Sequence, residues 1–386
     1  MAIPSYNSAH TINYVVYQAA KGLSEYFPDK RGVVLVSDGG STDGTQEVVK
    51  ALKLPFKVEV LVERYSGPSG KGSAVKHAFK RALEMGADGV IMVDSDLRSI
   101  TPEWIKLLGQ AALGEYDLVA PLYSRHKYDG TITNHLVYPL TRSLYCRDLR
   151  QPIGGDFGLS SRLVETLLES ELWGDEYVPR FGIDVFITNM ALALNFQVGQ
   201  ARLGSKIHES KDPAKHLEPM FIQVSGSQFS VASKYASKWR GLRGCRDVPL
   251  VGGGVEWGCV QPISIDVKAN LGRLVKVYEE RKSLVKSVLG DLFPVFEECV
   301  SKLKRLESRS FPCEVWARIV YKHLAAFSEK PSREVLLSLH VCWLARVVSF
   351  IIDTWDMDNP SAEKVIVKCA ETFEKEKDYL EEIFVF

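Results

Sequence analysis

The sequence predicts an α/β protein, in which a mostly parallel sheet with flanking helices is followed by an all-α carboxy-terminal region. Three observations support this fold class. Up to about residue 205, short β-branched runs alternate with amphipathic helical stretches, as in parallel sheets covered by helices. From about residue 267 the strand signals stop, and apolar residues recur at helical spacing. Glycine-rich and acidic segments follow two of the predicted strands, at the edge where parallel sheets bind ligands.

The predicted elements follow one another in a regular order. Strands are expected at residues 33–37, 57–63, 89–93, 117–123 and 197–203, and helices at residues 11–23, 45–52, 73–85 and 101–113. Two long helices are expected in the tail, at residues 332–355 and 362–379. We therefore divide the chain into a sheet domain at residues 1–240, a linker or loop at 241–266 and a helical domain at 267–386.

Composition and charge exclude several classes of protein. The 48 Lys and Arg residues balance 48 Asp and Glu residues, so the basic excess of a general nucleic-acid binder is missing. The seven cysteines are scattered without a C-x-x-C pair, which argues against a disulfide framework or a cysteine zinc site. No signal-peptide pattern is recognised, and the most apolar stretch, residues 335–355, contains three ionisable residues. We expect a cytoplasmic protein without stable membrane insertion.

The strongest candidate for chemistry is the segment Asp94-Ser95-Asp96 at the end of a predicted apolar strand. In an extended segment, residues i and i+2 point to the same side, so both carboxylates can face one ligand. Mg²⁺ or Mn²⁺ bound to phosphate oxygens needs one or two such carboxylates. The alternative is that these side chains only cap the turn into the next helix.

Other polar loops follow the predicted strands. Gly70-Lys71-Gly72 opens a helix whose amino-terminal amides favour anions, although it could be a surface loop, and Tyr65 and Gly72 exclude a Walker A loop. Asp38-Gly39-Gly40 ends another strand and could be an ordinary turn.

Three further segments lie later in the chain. Gly154 and Gly155 allow a close backbone approach to a ligand or make a simple turn. Asp184 begins an apolar helix, where it could merely balance the helix dipole. His208 lies in a polar loop after the last predicted strand, and a lone histidine of this kind is more often structural than a ligand.

Taken in order, these segments resemble a known family. The order runs from Ile3-Pro4-Ser5-Tyr6-Asn7 through Asp38-Gly39-Gly40, Gly70-Lys71-Gly72, Asp94-Ser95-Asp96, Gln151-Pro152-Ile153-Gly154-Gly155-Asp156 and Phe181-Gly182-Ile183-Asp184 to His208. It is similar to that of the GT-A (Rossmann-like) nucleotide-sugar glycosyltransferases. Within them it resembles the retaining glucosyl-3-phosphoglycerate and mannosylglycerate synthases, over about residues 1–220. The early motifs are shared by very many glycosyltransferases, whereas the Gln-Pro-x-Gly-Gly-acid segment is much narrower.

The resemblance implies a role for each matching residue. The donor nucleotide sugar would be held by a set of loop residues: Pro4, Ser5, Asn7, Asp38, Gly39, Lys71, Asp94, Ser95, Ile153, Gly154 and Gly155. Asp96 and His208 would ligate Mg²⁺ or Mn²⁺, and Asp184 and Asp96 would be the catalytic residues. The acceptor would contact Gly130, Thr131, Thr133 and Asp184.

The function implied is transfer of mannose or glucose from a GDP- or UDP-sugar to a small α-hydroxy acid such as glycerate or 3-phosphoglycerate. The phosphoglycerate enzymes have arginine where this chain has Thr131, which favours an unphosphorylated acceptor unless Arg125, His126 or Arg142 compensates. Ser8 stands where an acidic residue is usual, which leaves the nucleobase open. The alternatives are a polyprenyl-phosphate sugar transferase and a non-catalytic GT-A scaffold. We expect the helical tail to form a homodimer surface, to cover the site or only to add stability.

Overall fold

A computed structural model describes residues 1–207, 213–252 and 260–385. The described residues divide into two compact units. One comprises those within Met1–Arg125, Leu149–Leu217 and Asp247–Val260, and the other those within His126–Asp148, Glu218–Arg246 and Gln261–Phe386. Each unit is therefore assembled from segments that are far apart in the chain.

The first unit is built on a mostly parallel sheet, which confirms the predicted fold class. Among the described residues this sheet has seven strands, in the order β3-β2-β1-β4-β7-β5-β8. They are β1 (Ala2–Ser5), β2 (Gly32–Asp38), β3 (Val58–Arg64), β4 (Gly89–Met92), β5 (Leu118–Ser124), β7 (Phe157–Ser160) and β8 (Val198–Ser205). Only β7 runs antiparallel to its neighbours, between β4 and β5, in this part of the structure. Two further strands, β6 (Arg147–Asp148) and β9 (Arg246–Asp247), pair with each other.

Helices cover the sheet because their apolar residues recur every three or four positions. They are α1 (Ile12–Tyr26), α2 (Thr45–Lys50), α3 (Lys71–Glu84), α4 (Pro102–Leu108), α6 (Ser161–Leu168) and α7 (Ile183–Ala193). In α1, for example, Ile12, Val15, Val16 and Ala19 are fully buried. They join Val34 and Val36 of the neighbouring strand β2 in one hydrophobic core. The carboxyl ends of the parallel strands are thereby left to the loops that carry the polar motifs.

The second unit is helical. Its helices are α5 (Tyr138–Tyr145), most of α8 (Pro213–Lys234), α9 (Ala236–Trp239), α10 (Val267–Leu289), α11 (Phe293–Lys304), α12 (Cys313–Glu329), α13 (Arg333–Asp353), α14 (Asn359–Lys375) and α15 (Lys377–Ile383). A π-helical turn, Thr133–Val137, precedes α5. In the described chain, α13 is the one helix that is long and apolar enough to cross a membrane, and 89% of its apolar stretch is buried within the protein. It thus occupies the place of a core helix.

The helical unit differs from a simple carboxy-terminal appendage. The indole Nε1 of Trp316 in α12 donates to the carbonyl of His135 at 2.6 Å, and the hydroxyls of Ser143 and Tyr321 are 2.6 Å apart. These contacts join α12 to the segment around α5, whose sequence number would put it in the sheet domain. The predicted domain borders at residues 240 and 266 divide the chain into consecutive segments. The two compact units instead alternate along the chain, because α5 packs its apolar side chains among the later helices.

The predicted strands are all present, with ends that differ by two residues or fewer. The predicted helix 101–113 is an α-helix only as far as Leu108. It continues as the 3₁₀ turn Gly109–Leu113, where the ring of Phe27 lies against Gly109. The predicted helix 362–379 is two helices, α14 and α15, that meet at Glu376.

Candidate active site

Two loops at the ends of β1 and β2 are tied together by hydrogen bonds. Asp38 is fully buried, and its carboxylate accepts hydrogen bonds from the amides of Gly40 and Ser41, both at 2.8 Å. The Ser41 hydroxyl and the Gln46 amide also donate to it, at 2.6 and 2.8 Å. Asp38 therefore shapes the turn that follows β2 and leaves the Gly39 backbone at its edge.

Asn7 completes this arrangement from the β1 side. Its backbone has φ of 50°, and its side-chain oxygen accepts from the amide of Thr42 at 2.9 Å. Pro4 and Ser5 are buried in β1 itself. The Tyr6 ring is 63% exposed and lies beside Gly39, 3.2 Å from where a Cβ of that residue would be. An exposed aromatic ring thus borders the turn after β2.

The hydroxyl of Ser95 links the end of β4 to the loop after β1. Ser95 Oγ is 2.8 Å from Ser8 Oγ, and both residues are buried. Thr11 Oγ1 donates to the Ser95 carbonyl at 2.9 Å. Ser8, the departure from the family pattern, is therefore a direct contact of the Asp94-Ser95-Asp96 segment.

The centre of the site is a chain of alternating charges. Lys71 Nζ lies 2.8 Å from Asp94 Oδ1 and 3.0 Å from Asp184 Oδ1. Lys206 Nζ lies 2.8 Å from Asp94 Oδ2 and 2.8 Å from Asp156 Oδ2. Each oxygen of Asp94 therefore faces a different ammonium group. Three carboxylates and two ammonium groups give this cluster one negative charge in excess when all five are ionised.

Backbone geometry brings these side chains together. Lys206 Nζ donates to the Gly154 carbonyl at 2.7 Å, and Asp156 Oδ1 accepts from the Asp94 amide at 2.8 Å. The Tyr123 hydroxyl donates to the other oxygen of Asp156. Gly155 has φ of +87°, and a Cβ there would be 2.3 Å from Asp94 Oδ2. Only glycine fits this position, because both its backbone conformation and its surroundings exclude a side chain.

Lys71 reaches Asp184 because the first turn of α3 lies against the segment that precedes α7. The amide of Gly72 donates to the Arg180 carbonyl at 3.0 Å, and the amide of Ser73 to the Pro179 carbonyl at 2.8 Å. A Cβ on Gly72 would lie 1.9 Å from the carbonyl oxygen of Val178. The glycine after Lys71 thus permits the contact between the two chain segments.

The two aspartates beside Lys71 differ in how readily they take a proton. Burial tends to raise the pKa of Asp94, but Lys206 and Lys71 outweigh it and hold that pKa well below its usual range. Burial also raises the pKa of Asp184, and because Lys71 opposes this while Asp94 adds to it, the pKa of Asp184 stays above its usual range. Asp184 is thus a better proton acceptor than Asp94.

The two lysines remain charged. Burial tends to lower the pKa of Lys71, but Asp184 and Asp94 raise it above its usual value. For Lys206, Asp156 and Asp94 likewise outweigh burial and raise the pKa. Lys71 Nζ contacts both oxygens of Asp184, at 3.0 Å from Oδ1 and 3.2 Å from Oδ2. The Asp184 carboxylate is thus held by the same ammonium group that faces Asp94.

The remaining predicted site residues are placed as follows. Ile153 and Asp96 are half-buried, the latter just beyond β4. His208 lies outside the described residues, and among the described ones no group of three or more His, Cys, Asp or Glu side chains is gathered as a metal site. Gly130, Thr131 and Thr133 belong to the helical unit, where the Thr131 carbonyl accepts from Trp343 Nε1 at 3.3 Å. Their assignment to the acceptor stays a prediction.

Sequence reasoning gave no role to Lys206, Asp156, Tyr123 or Tyr6, although each is a prominent part of this site. Asp156 ends the Gln-Pro-x-Gly-Gly-acid segment, and Lys206 lies at the polar end of a strand. These positions in the sequence could have identified Asp156 and Lys206 as site residues. Tyr123, within a β-branched and apolar run, carries no such signal.

Part of the chain matches a known protein family. Residues 1–158 match the glycosyl transferase family 2. The glucosyl-3-phosphoglycerate synthase of Petrotoga mobilis is 23% identical over 252 residues, which cover 61% of this chain and 73% of that protein. A dolichyl-phosphate beta-glucosyltransferase of Saccharomyces cerevisiae is 32% identical over 97 residues, 23% of this chain and 29% of that protein.

Solved structures of glucosyl-3-phosphoglycerate synthase from Mycobacterium tuberculosis are also similar. One with Mn²⁺, UDP-glucose and phosphoglyceric acid has a TM-score of 0.47 and 25% identity, and covers 60% of this chain and 78% of that one. Another, with Mg²⁺ and UDP, has a TM-score of 0.47 and 24% identity, over 60% and 77% of the two chains. Residues 1–158 therefore carry the glycosyl transferase family 2 pattern. With this match and its mostly parallel sheet, the chain resembles the GT-A glycosyltransferases.

Proposed function

We propose that this chain is a metal-dependent retaining glycosyltransferase that moves a hexose from a nucleoside diphosphate sugar to a small α-hydroxy acid. The observation that carries the proposal is the cluster of Lys71, Asp94, Asp184, Lys206 and Asp156, which follows the carboxyl ends of sheet strands in a chain that matches a glycosyltransferase family. The curated relative with the longest of the matches above is a glucosyl-3-phosphoglycerate synthase, over 61% of the chain. Glycerate-type acceptors are therefore the first to test.

The donor would bind across the loops that follow β1, β2 and β4. The exposed ring of Tyr6 offers a face on which a nucleobase can stack, beside the open backbone of Gly39. The diphosphate would approach Lys71 at the amino end of α3, where the helix dipole favours negative charge. Ile153, Gly154 and Gly155 would line the sugar, with Lys206 fixed beneath them by the Gly154 carbonyl.

The cation would be held by Asp96 and His208. We do not assign the cation to Asp94, because each of its oxygens already faces a lysine at 2.8 Å. A carboxylate, an imidazole and diphosphate oxygens form a donor set that fits Mg²⁺ or Mn²⁺. When bound, the cation supplies a Lewis acid that takes up negative charge on the departing nucleoside diphosphate.

Asp184 would orient the acceptor hydroxyl. Its raised pKa favours taking a share of the acceptor proton. In a retaining front-face transfer the leaving phosphate itself can accept that proton, so the role of Asp184 is to hold the hydroxyl towards the anomeric carbon. Lys71, at 3.0 Å, would keep the carboxylate in place while it does so.

For the acceptor we favour glycerate over 3-phosphoglycerate. Thr131 replaces the arginine of the phosphoglycerate enzymes, and a bidentate guanidinium contact to phosphate is roughly twice as strong as a neutral hydrogen bond. Arg142 is engaged with Asp148 at 2.8 Å and with Glu374. Arg125, whose guanidinium lies 5.4 Å from the Tyr123 ring centroid, and His126 are the other two basic residues that could compensate.

A second candidate function is a polyprenyl-phosphate sugar transferase. The observation in its favour is the 32% identity to a dolichyl-phosphate beta-glucosyltransferase, over 97 residues. Transfer of that kind inverts the anomeric centre and uses a lipid phosphate, so product analysis separates it from the first proposal. A non-catalytic scaffold remains the third reading.

One array of assays tests all three. UDP-glucose and GDP-mannose are each incubated with glycerate, 3-phosphoglycerate, lactate or a polyprenyl phosphate, with Mg²⁺ or with chelator, and the products are identified by mass spectrometry and NMR. We expect a metal-dependent α-linked hexosylglycerate. A β-linked lipid product would support the second candidate. The absence of any product, together with no metal-dependent thermal stabilisation by either nucleotide sugar, would support the scaffold.

The metal assignment is tested by Asp96→Ala and His208→Ala. Each should lower kcat/KM about a hundredfold or more, because charge stabilisation at the leaving group is lost. Asp88→Ala is the matched control, since Asp88 is an exposed aspartate that pairs with Lys30 at 2.8 Å, and its activity should stay within about twofold. Wild-type activity that persists in excess chelator would contradict the assignment.

A further inference from the structure

A buried tyrosine joins the two ends of the Gln-Pro-x-Gly-Gly-acid segment, residues 151–156. Tyr123 lies in β5 and is 2% exposed. Its amide donates to Oε1 of Gln151, the first residue of the segment, at 3.1 Å, and Gln151 Nε2 donates to the Tyr123 carbonyl at 2.8 Å. The Tyr123 hydroxyl donates to Asp156, the last residue of the segment. The loop between Gln151 and Asp156 is therefore closed around Tyr123.

The side chain of Gln151 takes the place of a neighbouring strand. In the described structure the pairs between β7 and β5 are at Leu118 and Val119, and they do not extend along β5 to Tyr123. Buried backbone groups need hydrogen-bond partners. Gln151, which is 4% exposed, provides them for both the amide and the carbonyl of Tyr123. The start of the segment is thus fixed to β5 at this residue.

A bulge in the strand on the other side of β5 places Lys206 beside Tyr123. Leu122 of β5 pairs with Arg202 of β8, but the next pair joins Tyr123 to Gly204, so β8 has one extra residue here. Gly204 has φ of +75°. Such bulges bend a strand and change the direction of its side chains. Lys206 follows the bulge, and its Nζ lies 5.4 Å from the centroid of the Tyr123 ring.

Asp156 connects the Tyr123 hydroxyl to the rest of the charged cluster. Asp156 is fully buried, and the oxygen that accepts from Tyr123 also lies 2.8 Å from Lys206 Nζ. Its other oxygen accepts from the Asp94 amide at 2.8 Å. Lys206 in turn donates to the Gly154 carbonyl at 2.7 Å. A change in the orientation of Asp156 would therefore reach both Asp94 and the Gly154 backbone.

The Tyr123 side chain is fixed by packing as well as by its hydroxyl. Its ring centroid lies 5.3 Å from that of Trp104, which is also buried. Burial and the charge of Asp156 raise the pKa of Tyr123 well above its usual value, so the hydroxyl keeps its proton and remains a donor. A side chain locked by packing and by a hydrogen bond is suited to orient a carboxylate within a site.

We propose that Tyr123 is a positioning residue for the donor sugar. It would touch neither the donor nor the reacting atoms, but it fixes residues 151–156 and, through Asp156 and Lys206, the carbonyl of Gly154. The inference rests on the proposed transferase function, and it adds the residue on which the geometry of the sugar pocket depends. The nucleoside diphosphate would bind at other loops, so its affinity should not depend on the Tyr123 hydroxyl.

Tyr123→Phe tests this role in the full chain, because it removes the hydroxyl and keeps the ring. With the nucleotide sugar that the wild type turns over, kcat/KM for the donor should fall at least about tenfold at matched folded concentration, since small misplacements of a site are costly. The inhibition constant of the matching nucleoside diphosphate should stay within about twofold. An unchanged kcat/KM, or the same factor in both constants, would overturn the proposal.

Tyr321→Phe is the matched control. Tyr321 is fully buried in α12, and its hydroxyl donates to the Phe373 carbonyl at 2.6 Å. This variant also loses one buried hydrogen-bonded hydroxyl, so it should lose a similar amount of stability. Its kcat/KM should nevertheless stay within about twofold of wild type. A tenfold loss here as well would show that the effect of Tyr123→Phe is general destabilisation, which contradicts a positioning role.

A double variant tests whether Tyr123 acts through Asp156. In the background of Asp156→Asn, Tyr123→Phe should change kcat/KM by less than about twofold, because the carboxylate that the hydroxyl orients is already absent. Independent effects would instead multiply, and that result would overturn the assigned route. Tyr123→Phe alone decides on the positioning role even where Asp156→Asn folds poorly.

The same assays separate this inference from the proposed function. A wild type that turns over neither UDP-glucose nor GDP-mannose would overturn both. An active wild type whose Tyr123→Phe variant keeps full kcat/KM would overturn the positioning role alone and leave the transferase function standing.

Discussion

Asp94 and Asp184 contact the same ammonium group of Lys71, yet their ionisation affects folding in opposite directions. The native pKa of Asp94 is depressed, so its contribution to stability is present above its unfolded pKa of about 3.9 and is lost as the pH falls through the native value. The native pKa of Asp184 is raised, so its ionised form opposes folding at neutral pH and this penalty disappears as the pH falls. Asp184 is therefore held at a cost in stability.

This contrast predicts different effects of two matched substitutions. Asp94→Asn leaves Lys71 and Lys206 without the carboxylate between them, and should lower the free energy of unfolding at pH 7 by about 3 kcal/mol. Asp184→Asn removes an ionisation that folding disfavours, and should change that free energy by less than about 1 kcal/mol while activity falls at least about tenfold. Urea denaturation and initial rates measure the two effects.

The outcome at lower pH provides a control for this prediction. As the pH falls below the unfolded pKa of Asp94, about 3.9, the stability difference between wild type and Asp94→Asn should shrink, because the unfolded wild-type chain then binds a proton that native Asp94 does not. If both variants lose the same stability at pH 7, the opposite pKa directions assigned to the two carboxylates are wrong.

At the scale of elements, the loop before β7 requires glycine at Gly155 for two reasons that can be tested separately. Gly155 has φ of +87°, and a Cβ there would lie 2.3 Å from Asp94 Oδ2 and 2.9 Å from Lys206 Nζ. Gly114, with φ of +90°, has a similar backbone conformation but no atom within 4 Å of its Cβ position. Substitutions at the two positions therefore distinguish the effect of backbone conformation from the effect of the close approach to the charged cluster.

Gly155→Ala and Gly114→Ala should consequently differ in activity. Both should lower the free energy of unfolding by about 1–2 kcal/mol, because alanine is strained at positive φ. Gly155→Ala should also displace Asp94 and Lys206 and lower kcat/KM at least about tenfold, since small misplacements of a site are costly. Equal activity of the two variants at matched folded concentration would show that the close approach at Gly155 has no part in catalysis.

The same loop shows what could be predicted from the sequence. The valine-rich runs of β2 and β3 predict their strands, because a β-branched run between loops is itself a local signal. Strand β7 has only four residues and follows a glycine-rich turn, so it carries no such signal. Its antiparallel insertion between β4 and β5 is what brings Asp156 to the Asp94 amide, across 62 residues of chain.

Only some members of the charged cluster could be predicted from the sequence. Lys71, Asp94 and Asp184 belong to motifs with a local pattern, whereas Lys206 reaches Asp94 across 112 residues through the order of the strands. Pairings of this kind depend on the tertiary fold, and a single sequence does not display them. The motif residues could thus be identified from the sequence. The contacts that shift their pKa values could not.

At the scale of the whole molecule, the helical unit depends on segments from both halves of the chain. Lys377 of α15 donates to the Leu144 carbonyl at 3.0 Å, and Ser143 bonds Tyr321 at 2.6 Å. In the segment around α5, Leu136, Val137, Tyr138, Leu140 and Leu144 are all fully buried. This segment is separated by more than a hundred residues from the helices that cover it, α12 to α15.

Residues 1–262 alone should therefore fail to give a stable soluble protein. Exposing five such side chains, each worth about 1.5–3 kcal/mol, costs about as much as the 5–15 kcal/mol that stabilises a typical domain. We expect this fragment to aggregate or to bind a dye for exposed apolar surface, and to lose transferase activity. A soluble, monomeric and fully active fragment would show that the later helices are dispensable.

Co-expression separates a need for the later helices from a need for an unbroken chain. If residues 263–386 are supplied as a second polypeptide, they contain α12 to α15 and can cover the α5 segment without a covalent link. We expect the two fragments to co-purify as a one-to-one complex that recovers a measurable part of the activity.

Replacing Trp316 by Ala in the second fragment removes a fully buried indole and its 2.6 Å hydrogen bond to the His135 carbonyl. That variant should weaken complex formation about a hundredfold or more, since truncating a buried Trp typically costs about 3–5 kcal/mol. Lys364→Ala, at an exposed position of α14, is the matched control and should leave association unchanged.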